Sequence, residues 1–292
     1  MGRAEGVLST DELALLARLE LDHRRRARGT HPGQRRSDRT ARSPELADFR
    51  PYAVGDDVRQ IDWRAFARLE RLMLRLYVAE EESVLNVVVD SSESMTLGSP
   101  AKWPAARRLA AALTMLGLGA MDRVAVGVLQ RSGPHTPHLR LPGGTRRVLG
   151  FLAQLEPGGA AGPEELAALR WMRPGITVVV SDFLVEGSWR PALAGLGQRH
   201  QEPLLWQVLA PDEEHPRLSG DLRLREVESG SVRELTVTPR VVADYRRALI
   251  AHRERLQQDA SSAGGRFLHT SSDDDLESTM RAGLMAGAVR RT

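Results

Sequence analysis

The stretch of residues 84–95 constrains this chain more than any other. Residues 84–89 form an apolar, mostly β-branched run, which predicts a strand buried on both faces of a parallel sheet. The run ends at Asp90, and Ser92 and Ser94 follow at alternate positions. Ligands of open α/β sheets bind beyond the carboxyl ends of the strands, where this turn would lie. Because Mg2+ prefers oxygen ligands, the pattern predicts a metal-dependent binding site on a doubly wound domain.

A second apolar run, from Ile176 to Val180, also ends in an acid, Asp182. Further strands are predicted at 123–129, 204–209 and 266–269, with helices at 105–118, 145–155, 163–166, 189–198, 241–259 and 273–285. Strands that alternate with helices indicate parallel pairing. The predicted fold class is therefore α/β, a Rossmann-like, doubly wound, mostly parallel sheet. Two short additions are expected on it, an edge hairpin at 134–142 and a β-hairpin insertion around 220–238.

The N-terminal part predicts an extension of this domain. Ser9 to Glu12 resembles a capping box, and the leucines from Leu13 to Leu21 predict an amphipathic helix that ends in an arginine cluster, residues 24–42. Residues 29–44 read as a loop. We expect two regions, 1–79 with this extension and 80–292 with the α/β domain.

Composition narrows the class of protein. The chain of 292 residues has no cysteine, which excludes disulfides and thiolate metal sites, and it shows no secretory signal or apolar run of membrane-spanning length. We therefore expect a cytoplasmic protein without a transmembrane segment. The net charge is only +3, and Lys102 is the single lysine among 41 basic residues. Binding of nucleic acid is not favoured, because no aromatic residues interleave with the arginine cluster.

A segment rich in acids and arginines, residues 49–68, precedes the first acid-ended strand. It contains Gly55-Asp56-Asp57, Arg59, Ile61-Asp62-Trp63 and Arg68. Two interpretations compete: a catalytic cluster of acids, or a structural clamp that holds this segment to the main domain. The segment has no histidine or cysteine and has cations on every side, which favours the clamp. A half-buried strand is predicted directly after it, at residues 71–78.

Together these motifs resemble a known family. The Gly55-Asp56-Asp57-Val58-Arg59 and Ile61-Asp62-Trp63 blocks, followed by Asp90 to Met95, look like the bacterial family called domain of unknown function 58. That family is similar to von Willebrand factor type A domains. The resemblance implies a metal-ion-dependent adhesion site, or MIDAS. It also implies a partnership with MoxR-type AAA+ ATPases and with membrane-associated client proteins.

When the family's metal ligands are matched to this sequence one by one, all but one of them have a counterpart. Asp90, Ser92 and Ser94 match the first loop of the adhesion site, and Asp182 matches the acid after a later strand. The family's third element is a threonine, but residues 158–162 at the equivalent place contain no hydroxyl. Thr145 mimics that element but comes before the preceding helix. Both a functional Mg2+ site and a degenerate one kept for loop structure stay open.

The expected function is a non-enzymatic protein-interaction module, an adaptor or chaperone-like partner of a MoxR-type ATPase. One alternative is an Mg2+-dependent phosphate-ester hydrolase in which Asp90 and Asp182 hold the ion. It lacks an evident general base or nucleophile. The other alternative is binding to an anionic surface or to nucleic acid through the arginine cluster.

Overall fold

A computed structural model describes residues 7–21, 46–53, 56, 58, 61–77, 83–120, 122–130, 133–141, 143–159, 161–185, 187–227 and 230–291. The strands are β1 (Leu19–Leu21), β2 (Leu46–Pro51), β3 (Met73–Tyr77), β4 (Val84–Val89), β5 (Arg123–Val128), β6 (Gly175–Ser181), β7 (Gln201–Leu209), β8 (Gly220–Arg225), β9 (Val232–Val237), β10 (Arg266–Ser271) and β11 (Val289–Arg291). The helices are α1 (Thr10–Leu16), α2 (Trp63–Leu69), α3 (Lys102–Gly119), α4 (Gly144–Gln154), α5 (Pro163–Ala168), α6 (Arg190–Gln198), α7 (Pro211–Glu214), α8 (Pro239–Ser262) and α9 (Leu276–Met285).

The chain divides into two compact units. Unit 1 comprises Met1–Arg26 and Ser83–Thr292, and unit 2 comprises Ala27–Glu82. This division differs from the expected boundary between residues 79 and 80. The N-terminal helix α1 belongs to unit 1, because it packs on α3 and α9.

Unit 1 is built on a five-stranded sheet. Its strand order is β10-β7-β6-β4-β5, and every neighbouring pair is parallel. This confirms the predicted α/β class and is consistent with a Rossmann-like fold. The apolar runs form strands because both faces of the sheet are covered, and β6 is almost wholly buried.

Successive residues of the central strand β4 point to opposite faces and enter two separate cores. Val87 and Val89 pack in the core that also contains residues of α1, α3, α4 and α9. Val88 packs in the core formed with α5, α6 and α8. The sheet is therefore covered by helices on both faces, as a doubly wound domain requires.

Two local predictions were wrong. The N-terminal helix ends at Leu16 instead of continuing to Leu21, because Leu19–Leu21 pairs as a strand with β11. The capping box of Ser9 and Glu12 at its start is confirmed. In the described part of the predicted edge hairpin, residues 134–141, no pairing of the segment with itself is seen. Instead, His135 and Leu139 make antiparallel bridges to the edge strand β5. The predicted β-hairpin insertion is confirmed as β8 and β9.

Unit 2 is small. Strands β2 and β3 pair antiparallel, Ile61 makes a bridge to Leu74, and α2 lies between these elements in sequence. The strand predicted at 71–78 is confirmed as β3, whereas its partner β2 was not predicted. Among the helices that the structure describes, none combines the length and apolar character needed to cross a lipid bilayer.

Candidate functional site

Asp90 sits where β4 leaves the core. Its backbone N–H donates to the carbonyl of Val180 on the neighbouring strand, at 2.8 Å, so the residue is held in register with the sheet. The Oδ1 atom accepts from the backbone N–H of Ser92 at 2.8 Å, and Oδ2 accepts from the hydroxyl of Ser181 at 2.5 Å. Both carboxylate oxygens are therefore engaged inside the chain. The side chain is buried.

The two serines of the motif connect this loop to the next acid. Ser92 begins a 3-10 turn, Glu93–Thr96, and its hydroxyl lies 2.9 Å from that of Ser94. The Ser94 hydroxyl donates to Oδ2 of Asp182 at 3.0 Å. The structure thus brings the four predicted site residues into one hydrogen-bonded cluster at the carboxyl edge of the sheet.

Asp182 carries a partner that the motif did not reveal. The ammonium group of Lys102 donates to Oδ2 of Asp182 at 2.8 Å and to Oε1 of Glu213 at 2.5 Å. The Lys102 side chain is only 1% exposed. Lys102 begins α3, and Glu213 lies in α7 directly after β7, so the ion pairs join the ends of three elements.

Burial and charge set the protonation of this cluster. Burial raises the pKa of the Asp90 carboxyl above its ordinary value, and the neighbouring charge of Asp182 raises it further. Burial alone would lower the pKa of Lys102. The carboxylates of Asp182 and Glu213 outweigh that effect and raise it, so the lysine stays protonated at neutral pH. An ammonium group has three donors and no acceptor, so Lys102 cannot serve as a general base here.

The loop at residues 158–159 lies beside the first loop. The backbone N–H of Gly158 donates to the carbonyl of Ser91 at 2.5 Å. The amide of Gln130 bonds both the Ser91 hydroxyl, at 3.2 Å, and the carbonyl of Gly158, at 2.6 Å. This loop therefore contributes backbone atoms and no hydroxyl. Thr145 instead lies in the first turn of α4.

These residues do not fit a bound Mg2+ ion. Mg2+ takes about six oxygens in near-octahedral geometry at roughly 2.0–2.1 Å. Here each Asp90 oxygen already accepts a hydrogen bond, from Ser92 or Ser181, and Asp182 is already paired with a buried ammonium group. Within the described ranges, no three His, Cys, Asp or Glu side chains are grouped so as to hold a metal ion, so any ligand set here would have to include serine hydroxyls.

Sequence reasoning missed Lys102, Glu213, Ser181 and Gln130. One signal was available for the first of them, because a chain with 41 basic residues uses lysine only at this position. The other three residues have no local pattern that would mark them, since they meet the motif only through the fold.

The predicted signature residues act within unit 2, as far as they are described. Arg50 binds Asp56 through two hydrogen bonds, at 2.8 and 2.7 Å, and Asp62 caps α2 by accepting from the N–H groups of Arg64 and Ala65. Their contacts are structural, with a carboxylate held by a cation or a helix end. In the same unit, Trp63 is 61% exposed.

Arg68 is exposed in the last turn of α2. Gly55, Asp57 and Arg59 lie outside the described residues, and so does the arginine cluster at 24–42.

Comparison with known protein families shows which family this chain belongs to. The family model described as "Protein of unknown function DUF58" matches residues 48–255. The chain belongs to the DUF58 family. The match includes both the unit 2 signature and the cluster around Asp90 and Asp182. The family resemblance suggested by these motifs is thereby confirmed.

Several mycobacterial proteins are similar to this DUF58 protein. The uncharacterized protein Rv1480 of Mycobacterium tuberculosis is 32% identical over 295 residues, which cover 94% of this chain and 91% of the relative. The uncharacterized protein Mb1516 of Mycobacterium bovis gives the same figures, 32%, 94% and 91%. The uncharacterized protein MAV169 of Mycobacterium avium is 36% identical over 104 residues, or 35% of this chain and 60% of the relative.

Solved structures with a similar course of the chain include two from Bacteroides. An aerotolerance-related membrane protein from Bacteroides fragilis has a TM-score of 0.46 and 16% identity, covering 70% of this DUF58 chain and 98% of that protein. The conserved hypothetical protein BatB from Bacteroides thetaiotaomicron has a TM-score of 0.43 and 14% identity, with the same coverages of 70% and 98%.

Proposed function

We propose that this DUF58 protein is a non-enzymatic protein-interaction module of the von Willebrand factor A type. In this proposal it works as an adaptor or chaperone-like partner of a MoxR-type AAA+ ATPase. Membership of the DUF58 family supports the proposal, because the resemblance to that family implies a MoxR-type partner. The observation that carries it is that Ser94, Asp182 and Lys102 bind one another, which leaves a hydrogen-bonded scaffold for the loops and no evident catalytic group among them.

A hydrolytic role is less well supported by this geometry. A hydrolase needs a base within hydrogen-bond reach of a nucleophile or water. The hydroxyl of Ser94 donates to Asp182, but the same Oδ2 atom is held by the ammonium group of Lys102, which makes it a poor base. The two acids assigned to hold an ion in the hydrolase hypothesis, Asp90 and Asp182, are both buried and hydrogen-bonded.

The loops that carry the cluster also present apolar side chains to solvent. Leu97 directly follows the 3-10 turn with Ser94 and is 44% exposed, and Leu184 comes two residues after Asp182 and is 42% exposed. Large apolar side chains on rigid, polar-anchored loops are suited to protein contacts. We propose that these two loops form the contact surface for the ATPase.

Affinity measurement with purified components tests this proposal. Wild-type protein should bind a MoxR-type ATPase from the same genome, and the double variant Leu97→Ser/Leu184→Ser should bind at least about tenfold more weakly. The matched control is Ile250→Ser, which changes a 57% exposed side chain on α8 and should bind as the wild type does. Absence of wild-type binding, or equal weakening by both changes, would reject the proposal.

A further inference from the structure

The ammonium group of Lys102 lies between two carboxylates, as a bound metal ion would. It is surrounded by oxygens from separate loops: Oδ2 of Asp182 at 2.8 Å and Oε1 of Glu213 at 2.5 Å. Ser94, on the first loop, bonds the same Oδ2 atom of Asp182. A cation at this point therefore joins the loops after β4, β6 and β7.

Local structure fixes the lysine in this place. The backbone N–H of Lys102 donates to the carbonyl of Leu97 at 3.2 Å, which ties the start of α3 to the residue that follows the 3-10 turn. Trp103, the next residue, is also buried. The side chain of Lys102 is 1% exposed, so the ammonium group has exchanged water for carboxylate oxygens.

The choice of lysine is informative in this sequence. Of the 41 basic residues only Lys102 is a lysine, and the other 40 are arginines. A guanidinium is planar and spreads its donors over a wide fork, whereas an ammonium group is compact and directs three donors from one atom. A point-like cation between converging carboxylates is the arrangement that a small metal ion would also require.

A divalent ion at Asp182 would meet strong repulsion from this ammonium group. Like charges that share one carboxylate in a buried site repel each other with little screening. The two acids of the ion pairs are also satisfied elsewhere. Asp182 Oδ1 accepts from the N–H of Leu184 at 3.1 Å, and Glu213 Oε2 accepts from the N–H of Ala210 at 2.9 Å.

We propose that Lys102 is the resident cation of this site and replaces the divalent metal of adhesion-site domains. The loops after β4, β6 and β7 then keep their geometry without metal. This inference deepens the proposed function and rests on it for the role of the loops in partner binding. It makes that binding independent of divalent ions.

Thermal melting of the full-length protein in EDTA, Mg2+ and Mn2+ tests the inference. Wild-type protein should melt at the same temperature in all three conditions, because only an ion that binds the native state raises it. Lys102→Ala should melt roughly 10 °C lower in EDTA, since it leaves the buried Asp182 and the partly buried Glu213 without their cation. It should then regain stability as Mn2+ or Mg2+ is added, with a saturable response.

Lys102→Met is the matched variant. The methionine side chain fills the space of the lysine but brings no charge, so the protein should be destabilised and show little response to ions. Arg247→Ala controls for loss of any cation, because Arg247 pairs with Asp244 at an exposed position, where its side chain is 77% exposed. It should change neither the melting temperature nor the ion response.

The outcomes separate clearly. A saturable rise of the wild-type melting temperature with Mg2+ that disappears in Asp182→Asn overturns the inference, and this arm is decisive even if Lys102→Ala does not fold. A folded Lys102→Ala variant that ignores ions also overturns it. If the wild-type protein binds the ATPase but loses this binding in EDTA, Lys102 is not the resident cation, and the partnership itself is still supported. Absence of ATPase binding rejects the partnership while the melting data still decide the role of Lys102.

Discussion

At the scale of single residues, His138 forms a polar contact with Asn86, a buried residue of the interior strand β4. Nε2 of His138 lies 3.0 Å from Oδ1 of Asn86, which also accepts from the N–H of Arg173 at 3.2 Å. The amide nitrogen of Asn86 donates to Thr177 and to two carbonyls. The oxygen of Asn86 is therefore an acceptor, and Nε2 of His138 carries the proton.

This contact predicts a pH-dependent contribution to stability. Burial lowers the pKa of His138 to about 4, and the charges of Arg173, Arg123 and His135 act in the same direction. Between pH 6.5 and about 4 the unfolded chain therefore binds more protons than the native one. The free energy of unfolding should fall as the pH is lowered through this window, by about 1–2 kcal/mol from this residue, because the imidazole is only half-buried and solvent screens part of the effect.

Urea unfolding at a series of pH values checks this, with His138→Gln as the test variant. Glutamine can keep a donor near Oδ1 of Asn86 but does not titrate, so the loss of stability between pH 6.5 and about 4 should be smaller in the variant. An NMR titration of the His138 imidazole in the wild type gives the pKa directly. A variant that keeps the full wild-type dependence would contradict the assignment.

At this scale, the sequence can indicate which residues lie together only where the chemistry is local. Asp90, Ser92 and Ser94 stand within five consecutive residues, and Asp182 ends a recognisable strand. Lys102 could not be placed, because its ion pairs join it to residues 80 and 111 positions away. The sequence also could not show that the oxygens of Asp90 already accept hydrogen bonds from Ser92 and Ser181.

At the scale of elements, α3 shows how closely a helix can approach the sheet. Its buried face is rich in small residues, and a Cβ atom added at Gly117 would lie 2.7 Å from Leu85 Cδ2 and 2.9 Å from Val124 Cγ2. Both of these side chains are fully buried, and Val124 is stiff because it is β-branched. The absence of a side chain at Gly117 sets the distance between α3 and strands β4 and β5.

Gly117→Ala should therefore destabilise the protein by about 1–3 kcal/mol, because the added methyl group forces the helix or these two side chains to move. Gly119 provides a matched control in the last turn of the same helix, where an added Cβ would meet nothing within 4 Å. Gly119→Ala should be neutral or stabilising by up to about 1 kcal/mol, as helix propensity predicts. Chemical denaturation of both variants measures the difference. Equal effects would show that packing at residue 117 is not limiting.

Element prediction worked for the strands of the main sheet and failed at its margins. β4, β6 and β7 are apolar runs that are buried along their length, so their patterns are unambiguous. β1 has three residues and exists through its pairing with β11, about which the sequence near Leu19 says nothing. The segment at residues 134–142 was expected to form a hairpin, but His135 and Leu139 bridge instead to the edge strand β5.

At the scale of the whole molecule, the pairing of β1 with β11 links two parts of unit 1 that lie far apart in sequence. Leu19, Glu20 and Leu21 pair with Arg291, Arg290 and Val289, and Val289 is buried against Gly283 near Trp206. Residues 27–82 form unit 2 and interrupt unit 1 in sequence. All five strands of the main sheet thus come from the part of the chain after Ser83, and α1 and β1 are the described elements of unit 1 that precede the interruption.

Removing residues 288–292 should expose this dependence. Strand β1 would lose the partner that β11 gives it, so hydrogen exchange at residues 19–21 and in α1 should become much faster. The amides of β4 and β6, at the centre of the sheet, should keep their protection. Hydrogen–deuterium exchange with mass spectrometry resolves the two regions, and a chain that lacks only Thr292 is the control. Unchanged exchange at residues 19–21 would contradict the pairing.

The pairing of β1 with β11 also has a consequence for biosynthesis. The ribosome makes Leu19–Leu21 long before Val289–Arg291, so the earlier strand must wait for the later one. Contacts of such large sequence separation form slowly, and the apolar side chains that depend on them stay unburied meanwhile. Leu8, Leu16 and Leu19 belong to the main core, and their burial there is complete only once β1 has found β11. The N-terminal part of unit 1 therefore finishes folding only after residues 289–291 have left the ribosome.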